Sequence, residues 1–146
     1  MSRLLVAGIG NDMRGDDAAG LLAVRALREL GASNVDVLES PADTIALAAA
    51  IADHPEAVVI DAVAAEGAGE VMVLDERSIA MRSRVTGHGL SVRDAIDLAR
   101  ALGREPAVHV VGITGSTFDL GAAPSPEVER AASKVASWIK EAFACA

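Results

Sequence analysis

Short apolar runs alternate along the chain with stretches in which apolar residues recur at helical spacing. The short runs are typical of buried strands, and they predict strands over Arg3–Gly8, Val35–Leu38, Ala57–Ile60, Glu70–Leu74 and Val108–Ile113. The helical spacing predicts helices over Asp16–Leu30, Thr44–Ala52 and Ser91–Leu102, and a last helix after Ser125. This alternation favours an α/β fold, in which a mostly parallel sheet carries helices on both faces.

Turn residues indicate where these elements end. Gly31 and Gly103 directly follow predicted helices, at the position where a left-handed residue commonly ends a helix. Ser125 and Pro126 are typical of a helix start, as N-cap and first helical residue. The fourth strand follows the third too closely for a crossover helix, so we expect it to be antiparallel to its neighbour. The prediction is one domain over residues 1–146, a three-layer α/β sandwich with a sheet of about five strands.

A glycine-rich turn with two adjacent acids follows the first strand. Asp16 and Asp17 fall near the start of the first helix, where carboxylates can cap free N–H groups and meet the positive end of the helix dipole. Ligands of α/β folds bind beyond the carboxyl ends of the strands, so these acids are also candidates for a site. The turn reads Gly8-Ile9-Gly10-Asn11-Asp12-Met13-Arg14-Gly15-Asp16-Asp17-Ala18-Ala19-Gly20.

The familiar phosphate-binding turns do not match this stretch. The dinucleotide motif Gly-x-Gly-x-x-Gly has Met13 in place of its third glycine, and a P-loop needs a lysine that the turn lacks. The carboxylates of Asp12, Asp16 and Asp17 would repel phosphate. The turn therefore suits a cation or a cationic peptide.

Composition narrows the class of partner and the compartment. The chain has 146 residues and a formal net charge of -8, and this acidic balance argues against nucleic acid. We expect no membrane segment and no secretory signal, because no apolar run reaches about 18 residues and the N-terminus lacks a basic region. The single cysteine, Cys145, cannot form an internal disulfide, which fits a cytoplasmic protein. We also expect a monomer.

Two more polar residues are predicted to lie at the carboxyl edge of the sheet. Asp61 directly follows four apolar strand residues, and His88 lies between two glycines just before the helix that Ser91 would cap. Together with Asp17, they would place two carboxylates and an imidazole at one edge, a set that suits a first-row divalent metal with open positions. The other histidines, in a surface turn and inside a strand, are weaker candidates: His54 and His109.

The common protease motifs are missing. The chain contains neither His-Glu-x-x-His nor Gly-x-Ser-x-Gly, and Cys145 lies too near the C-terminus to be a well-positioned nucleophile. Ser91 and Ser116 lie in loops or at helix starts, so a serine hydrolase stays open, although neither residue has a supporting motif.

The order of the motifs resembles the hydrogenase maturation endopeptidase family across nearly the whole chain. The resemblance implies an endopeptidase that removes a C-terminal extension from the large-subunit precursor of a nickel–iron hydrogenase after nickel insertion. The matching pieces are Gly8-x-Gly10-Asn11, Gly15-Asp16-Asp17, Asp61 after a strand, Gly87-His88-Gly89-Leu90-Ser91, and the late Phe118…Gly121…Ser125-Pro126-Glu127-Val128.

The resemblance also implies a site. The family's metal-contacting residues correspond to Asp17, Asp61 and His88, which are therefore the expected catalytic and metal-contacting residues, with Asp16 as the alternative to Asp17. Nickel would be carried by the precursor and not held permanently by the enzyme. Two other functions stay open: a non-catalytic nickel-binding assembly factor, and a small-molecule hydrolase or phosphorylase on the same fold.

Overall fold

The centre of the molecule is a five-stranded sheet. The computed structural model describes residues 3–40, 44–74 and 88–143, without the side chains of residues 88–91. The strands are β1 (Leu4–Ile9), β2 (Val35–Ser40), β3 (Glu56–Ala64), β4 (Val71–Leu74) and β5 (Ala107–Gly115). The helices are a short 3-10 helix (Gly15–Ala18), α1 (Ala19–Leu30), α2 (Thr44–Ala52), α3 (His88–Ala101) and α4 (Pro126–Phe143). Over these residues, no helix is long and apolar enough to cross a membrane.

The strands lie in the order β2-β1-β3-β5-β4. Neighbours are parallel except for β4, which is antiparallel to β5. The predicted α/β class, with five strands of which one is antiparallel, is confirmed. The short β3–β4 connection does not make the two strands neighbours, because β5 lies between them.

Side chains on the two faces of the sheet form two separate apolar cores. Leu4 and Val6 of β1 belong to the core with α1 and α4, whereas Leu5 and Ala7 belong to the core with α2 and α3. Both faces of the central strands are therefore buried, which explains why they are continuous apolar runs instead of alternating patterns.

The central strands β3 and β5 are longer than the sequence predicts. They pair over nine residues, from Glu56↔Ala107 to Ala64↔Gly115. The last pair between β1 and β3 is Gly8↔Ile60. The sequence predicts Asp61 as the residue directly after a strand. In the structure it is a residue of β3, one position past the last pair with β1. Pairing with β5 makes β3 longer. The local sequence pattern cannot show this, because β5 is distant from β3 in the sequence.

The predicted helix ends, and the predicted starts of α2 and α4, lie within one residue of the observed ones, whereas the starts of α1 and α3 do not. Gly31 and Gly103 have φ angles of 69° and 84°, and their N–H groups donate to the carbonyls of Arg28 and Arg100. The first helix, by contrast, begins as a 3-10 turn without a side-chain cap. α3 begins at His88, so Ser91 lies inside the helix and is not its cap. Apolar periodicity indicates the buried turns of a helix and not its first turn.

The junction between α1 and the sheet depends on a close approach. At Gly20 a Cβ atom would overlap the backbone carbonyl oxygens of Ile9 and Ile60. We expect Gly20→Ala to lower the free energy of unfolding by about 2–3 kcal/mol, because overpacked backbone must move. Gly67→Ala is the matched control, since no atom lies within 4 Å of its added Cβ. Urea denaturation that gives equal stabilities for the two variants would contradict the close-packing explanation.

Candidate functional site

Asp17 and Asp61 lie on adjacent chain segments at the carboxyl edge of the sheet. Asp17 belongs to the 3-10 helix that follows β1, and this helix packs against β3. Asp61 lies one residue past the last β3 residue that pairs with β1. Both are buried, with exposed fractions of 4% and 6%. The first two predicted site residues are thus placed at the same edge, one in the 3-10 helix and one in the strand against which this helix packs.

Asp61 is on the face of the sheet that α2 and α3 cover. Side chains alternate along a strand, and Val59, two residues earlier, belongs to the core of that face. The N–H of Ala62 donates to Asp61 Oδ1 at 2.8 Å. This contact orients the carboxylate where β3 has passed the end of β1.

The backbone of α3 starts at the same edge. α3 leads through a short loop into the amino end of β5, so its own N-terminal end, at His88, lies towards the opposite, carboxyl end of the strands. The side chain of His88 lies outside the described part of the structure. His88 therefore remains a predicted site residue.

The glycine-rich turn holds the backbone of Asp17. The Asp17 N–H donates to the carbonyl of Arg14 at 3.1 Å, and the Asp17 carbonyl accepts the N–H of Asn11 at 3.3 Å. A Cβ atom at Gly10 would collide with that carbonyl. The Asn11 side chain in turn accepts the N–H of Met13 at 2.8 Å. The turn thus fixes the position of the acid through backbone contacts.

The sequence offers Asp16 as a cap of the first helix, but in the structure its side chain has other partners. Its side chain is fully buried, and its carboxylate accepts four hydrogen bonds from the segment between β5 and α4. Oδ1 accepts the N–H and the hydroxyl of Ser125, at 2.7 and 2.9 Å. Oδ2 accepts the N–H groups of Ser116 and Thr117, at 2.9 and 3.2 Å. These bonds occupy the acceptor positions of Asp16, which makes Asp17 the better candidate for a metal contact.

The hydrogen bond to Asp16 changes the role of the Ser125 side chain. Its carbonyl accepts the N–H groups of Val128 and Glu129, so it is the N-cap residue of α4. Its hydroxyl, however, donates to Asp16 instead of accepting a helix N–H. Asp16 therefore lies at the positive end of the α4 dipole. Sequence reasoning missed this pairing because the partners are 109 positions apart.

The surroundings of Asp16 act in opposite directions on its pKa. Burial alone raises the pKa, but the hydrogen bonds from Ser125, Ser116 and Thr117 together outweigh it. The pKa of Asp16 consequently lies below its ordinary value of 3.8. The carboxylate is charged at neutral pH and stabilised by donors instead of by water.

A second hydrogen-bond network, which the sequence does not predict, pairs Asp12 of the glycine-rich turn with Arg25. The Arg25 guanidinium donates to both carboxylate oxygens of Asp12 at 2.8 Å and to Glu39 at 2.9 Å. Arg28 also donates to Glu39, at 2.8 Å. The hydrogen bond from Arg25 holds the pKa of Asp12 below its ordinary value. The negative charge at this end of the turn is therefore largely compensated.

The two weaker histidine candidates have structural partners at the amino end of the sheet. His54 contacts the carbonyl of Ala50 at 2.7 Å and Asp36 at 2.8 Å. His109 contacts Glu56 at 3.0 Å. Among the side chains that the structure describes, no three histidine, cysteine or acidic residues form a group that could hold a metal ion. His88 is outside that set, so the three-residue site stays a prediction.

Comparison with known proteins identifies the family. A family model described as "Hydrogenase maturation protease" (HycI) matches residues 21–142, beginning just after the glycine-rich turn. The curated Hydrogenase 2 maturation protease of Escherichia coli (strain K12) is 25% identical over 150 residues, which is 95% of this chain and 92% of that protein.

Solved structures give the same result. The [NiFe] hydrogenase maturation protease HybD from Thermococcus kodakarensis is 30% identical with a TM-score of 0.78, over 95% of this chain and 97% of that chain. The maturation protease HycI from Thermococcus kodakarensis KOD1 is 28% identical with a TM-score of 0.75, over 96% and 91%. The fold and these matches define an α/β peptidase, a hydrolase. The chain belongs to the hydrogenase maturation protease family.

The low pKa of Asp16 predicts a specific loss of stability in acid. A carboxyl group whose folded pKa is depressed stabilises the fold above its unfolded pKa and loses that effect as the pH falls through the folded value. The unfolding free energy of the wild type should thus fall more steeply below about pH 5 than that of Asp16→Asn. At pH 7 the variant should be about 2–4 kcal/mol less stable, since buried donors lose their acceptor.

Urea denaturation between pH 3 and pH 7 measures this difference. Asp119→Asn is the control, because it removes an exposed carboxylate from the same segment. Parallel pH profiles for wild type and Asp16→Asn would show that the buried carboxylate is not linked to acid stability.

Proposed function

We propose that this protein removes the C-terminal extension from the large-subunit precursor of a nickel–iron hydrogenase after nickel insertion. Family membership supports the reaction class and the kind of partner. The observation that carries the proposal within the chain is the placement of Asp17, in the 3-10 helix after β1, and Asp61, in β3 just past its pairing with β1, at one edge of the sheet. That edge is where α/β folds bind their ligands.

The donor set supports a role in recognising nickel. Two carboxylates and the imidazole of His88 suit a first-row divalent metal, but three such ligands from separate elements would hold nickel weakly. Ligands from the precursor would complete the coordination. Nickel then belongs to the substrate and bridges the two proteins, and a metal-free precursor lacks the group that the site contacts.

Charge favours this encounter. The chain has a formal net charge of -8, and the carboxylates of Asp17 and Asp61 lie at the proposed contact edge. An acidic edge attracts a cationic metal centre and increases the rate of association. In the reaction, water adds to the scissile carbonyl carbon, the C–N bond breaks, and the leaving amine takes up a proton.

The site residues predict a loss of cleavage without a loss of fold. Asp17→Asn and His88→Ala should each lower the cleavage rate of nickel-loaded precursor by about 100-fold or more, because each removes a contact to the reacting centre. His109→Ala, which changes an exposed histidine at the opposite end of the sheet, is the control for His88→Ala. Mass spectrometry of the precursor C-terminus measures cleavage, and circular dichroism measures the fold. Wild-type rates in folded Asp17→Asn would remove Asp17 from the site.

Cleavage should depend on nickel in the substrate and not on a metal carried by the enzyme. Enzyme stripped with a chelator and dialysed should cleave nickel-loaded precursor at the rate of untreated enzyme, and should leave metal-free precursor intact. The same mass measurement on the two precursors tests this. Efficient cleavage of metal-free precursor by stripped enzyme would reject the bridging role, and nickel binding without any mass loss would indicate an assembly factor.

A further inference from the structure

Asp16 and Asp17 are neighbours in the chain, but their side chains serve different parts of the molecule. Asp16 has no exposed surface, and each of its two oxygens accepts two hydrogen bonds from residues 116–125. A carboxylate has two oxygens that only accept, whereas an asparagine amide has one acceptor oxygen and a donor nitrogen. The four donors around Asp16 are therefore matched by a carboxylate and only partly by an asparagine amide.

Backbone contacts surround this carboxylate on both sides. The Asp16 N–H donates to the carbonyl of Thr117 at 2.7 Å, and the Gly15 N–H donates to that of Ala122 at 3.0 Å. In the other direction, the Gly121 N–H donates to the carbonyl of Met13 at 2.7 Å. The turn before Asp17 is thus joined to the segment before α4 by a set of hydrogen bonds, which we call the Asp16 clamp, residues 13–16 with 116–125.

The strand end also fits closely around Asp16. A Cβ atom at Gly115, the last residue of β5, would lie 2.5 Å from the Asp16 Cβ. Asp16 is consequently fixed against β5 by packing as well as by hydrogen bonds. Gly115 of β5 pairs with Ala64 of β3. The contact with Gly115 therefore connects the 3-10 helix, by way of β5, to the strand that carries Asp61.

We propose that Asp16 is a positioning residue that sets the location of Asp17 at the carboxyl edge. Asp17 shares a peptide bond with Asp16 in a 3-10 helix of four residues, so a shift of Asp16 moves Asp17. The Asn11 N–H contact to the Asp17 carbonyl, at 3.3 Å, reports the position of Asp17 directly. The catalytic consequence rests on the proposed function, whereas the positional one does not.

The first experiment measures position without measuring activity. Amide hydrogen exchange is followed by NMR at pH 7, about 20 °C below the melting temperature, in wild type, Asp16→Asn and Val135→Ala. Val135→Ala is the control, because it weakens the apolar core shared with α1 at a position ten residues after Ser125, about 15 Å further along α4. In Asp16→Asn we expect the Asn11 amide to exchange about tenfold faster relative to the core amide of Val59, and in Val135→Ala we expect that ratio to be unchanged.

The second experiment measures the consequence for cleavage. With nickel-loaded precursor, Asp16→Asn should lower kcat/KM about 10- to 100-fold relative to Val135→Ala, because a small displacement of Asp17 weakens its contact with the nickel centre of the precursor. Ser125→Ala removes one donor and keeps the three N–H bonds. It should therefore fold and show a smaller change of the same kind in both experiments.

Several results would overturn the proposal. Equal Asn11 protection in Asp16→Asn and Val135→Ala would show that Asp16 does not position Asp17, and unchanged kcat/KM despite lost protection would show that the positioning has no role in cleavage. If Asp16→Asn does not fold, an unchanged Asn11 exchange ratio in Ser125→Ala would decide against it. Wild-type enzyme that fails to cleave the precursor would refute the proposed function, and the exchange data would still test the clamp.

Discussion

The buried carboxylate of Asp16 is the constraint on which the carboxyl edge of the sheet depends. A charge removed from water is tolerated only where polar groups replace the water, and here four donors do so. All four come from residues 116–125, at the far end of the chain. The first turn can therefore take its observed form only when β5 and α4 are in place, so the edge is assembled from both ends of the sequence.

Identical side chains in one turn have different roles because their surroundings differ. Asp12 is half-exposed and paired with Arg25, so it links the turn to α1. Asp16 is buried among N–H groups and joins the turn to α4. Asp17 follows it in the 3-10 helix, which packs against the strand that carries Asp61. Composition alone would count three equivalent negative charges at a cation site.

Small residues provide the geometry in which these acids act. Cβ atoms at Gly8 and Gly20 would collide with backbone across the junction of β1 and α1, and one at Gly10 would collide with the Asp17 carbonyl. Aromatic residues make up only 2% of the chain, and the cores consist largely of Ala, Val, Leu and Ile. Close backbone approach and small core side chains together bring the 3-10 helix against β3.

The sequence by itself determined the local features of this protein. Apolar runs buried on both faces indicated the strands, and Gly31 and Gly103 indicated where two helices end, because backbone conformation there depends on one residue. The order of motifs indicated the family, and Asp17 and Asp61 lie at the predicted edge. Features that depend on distant partners were decided by the tertiary structure alone. Pairing with β5 extended β3 past Asp61 and separated β4 from β3. Donors about a hundred positions away bind the Asp16 carboxylate, so that it joins the turn to the segment before α4 instead of capping a helix. The sequence could not predict these hydrogen bonds, because residue spacing reports only partners that are near in the chain.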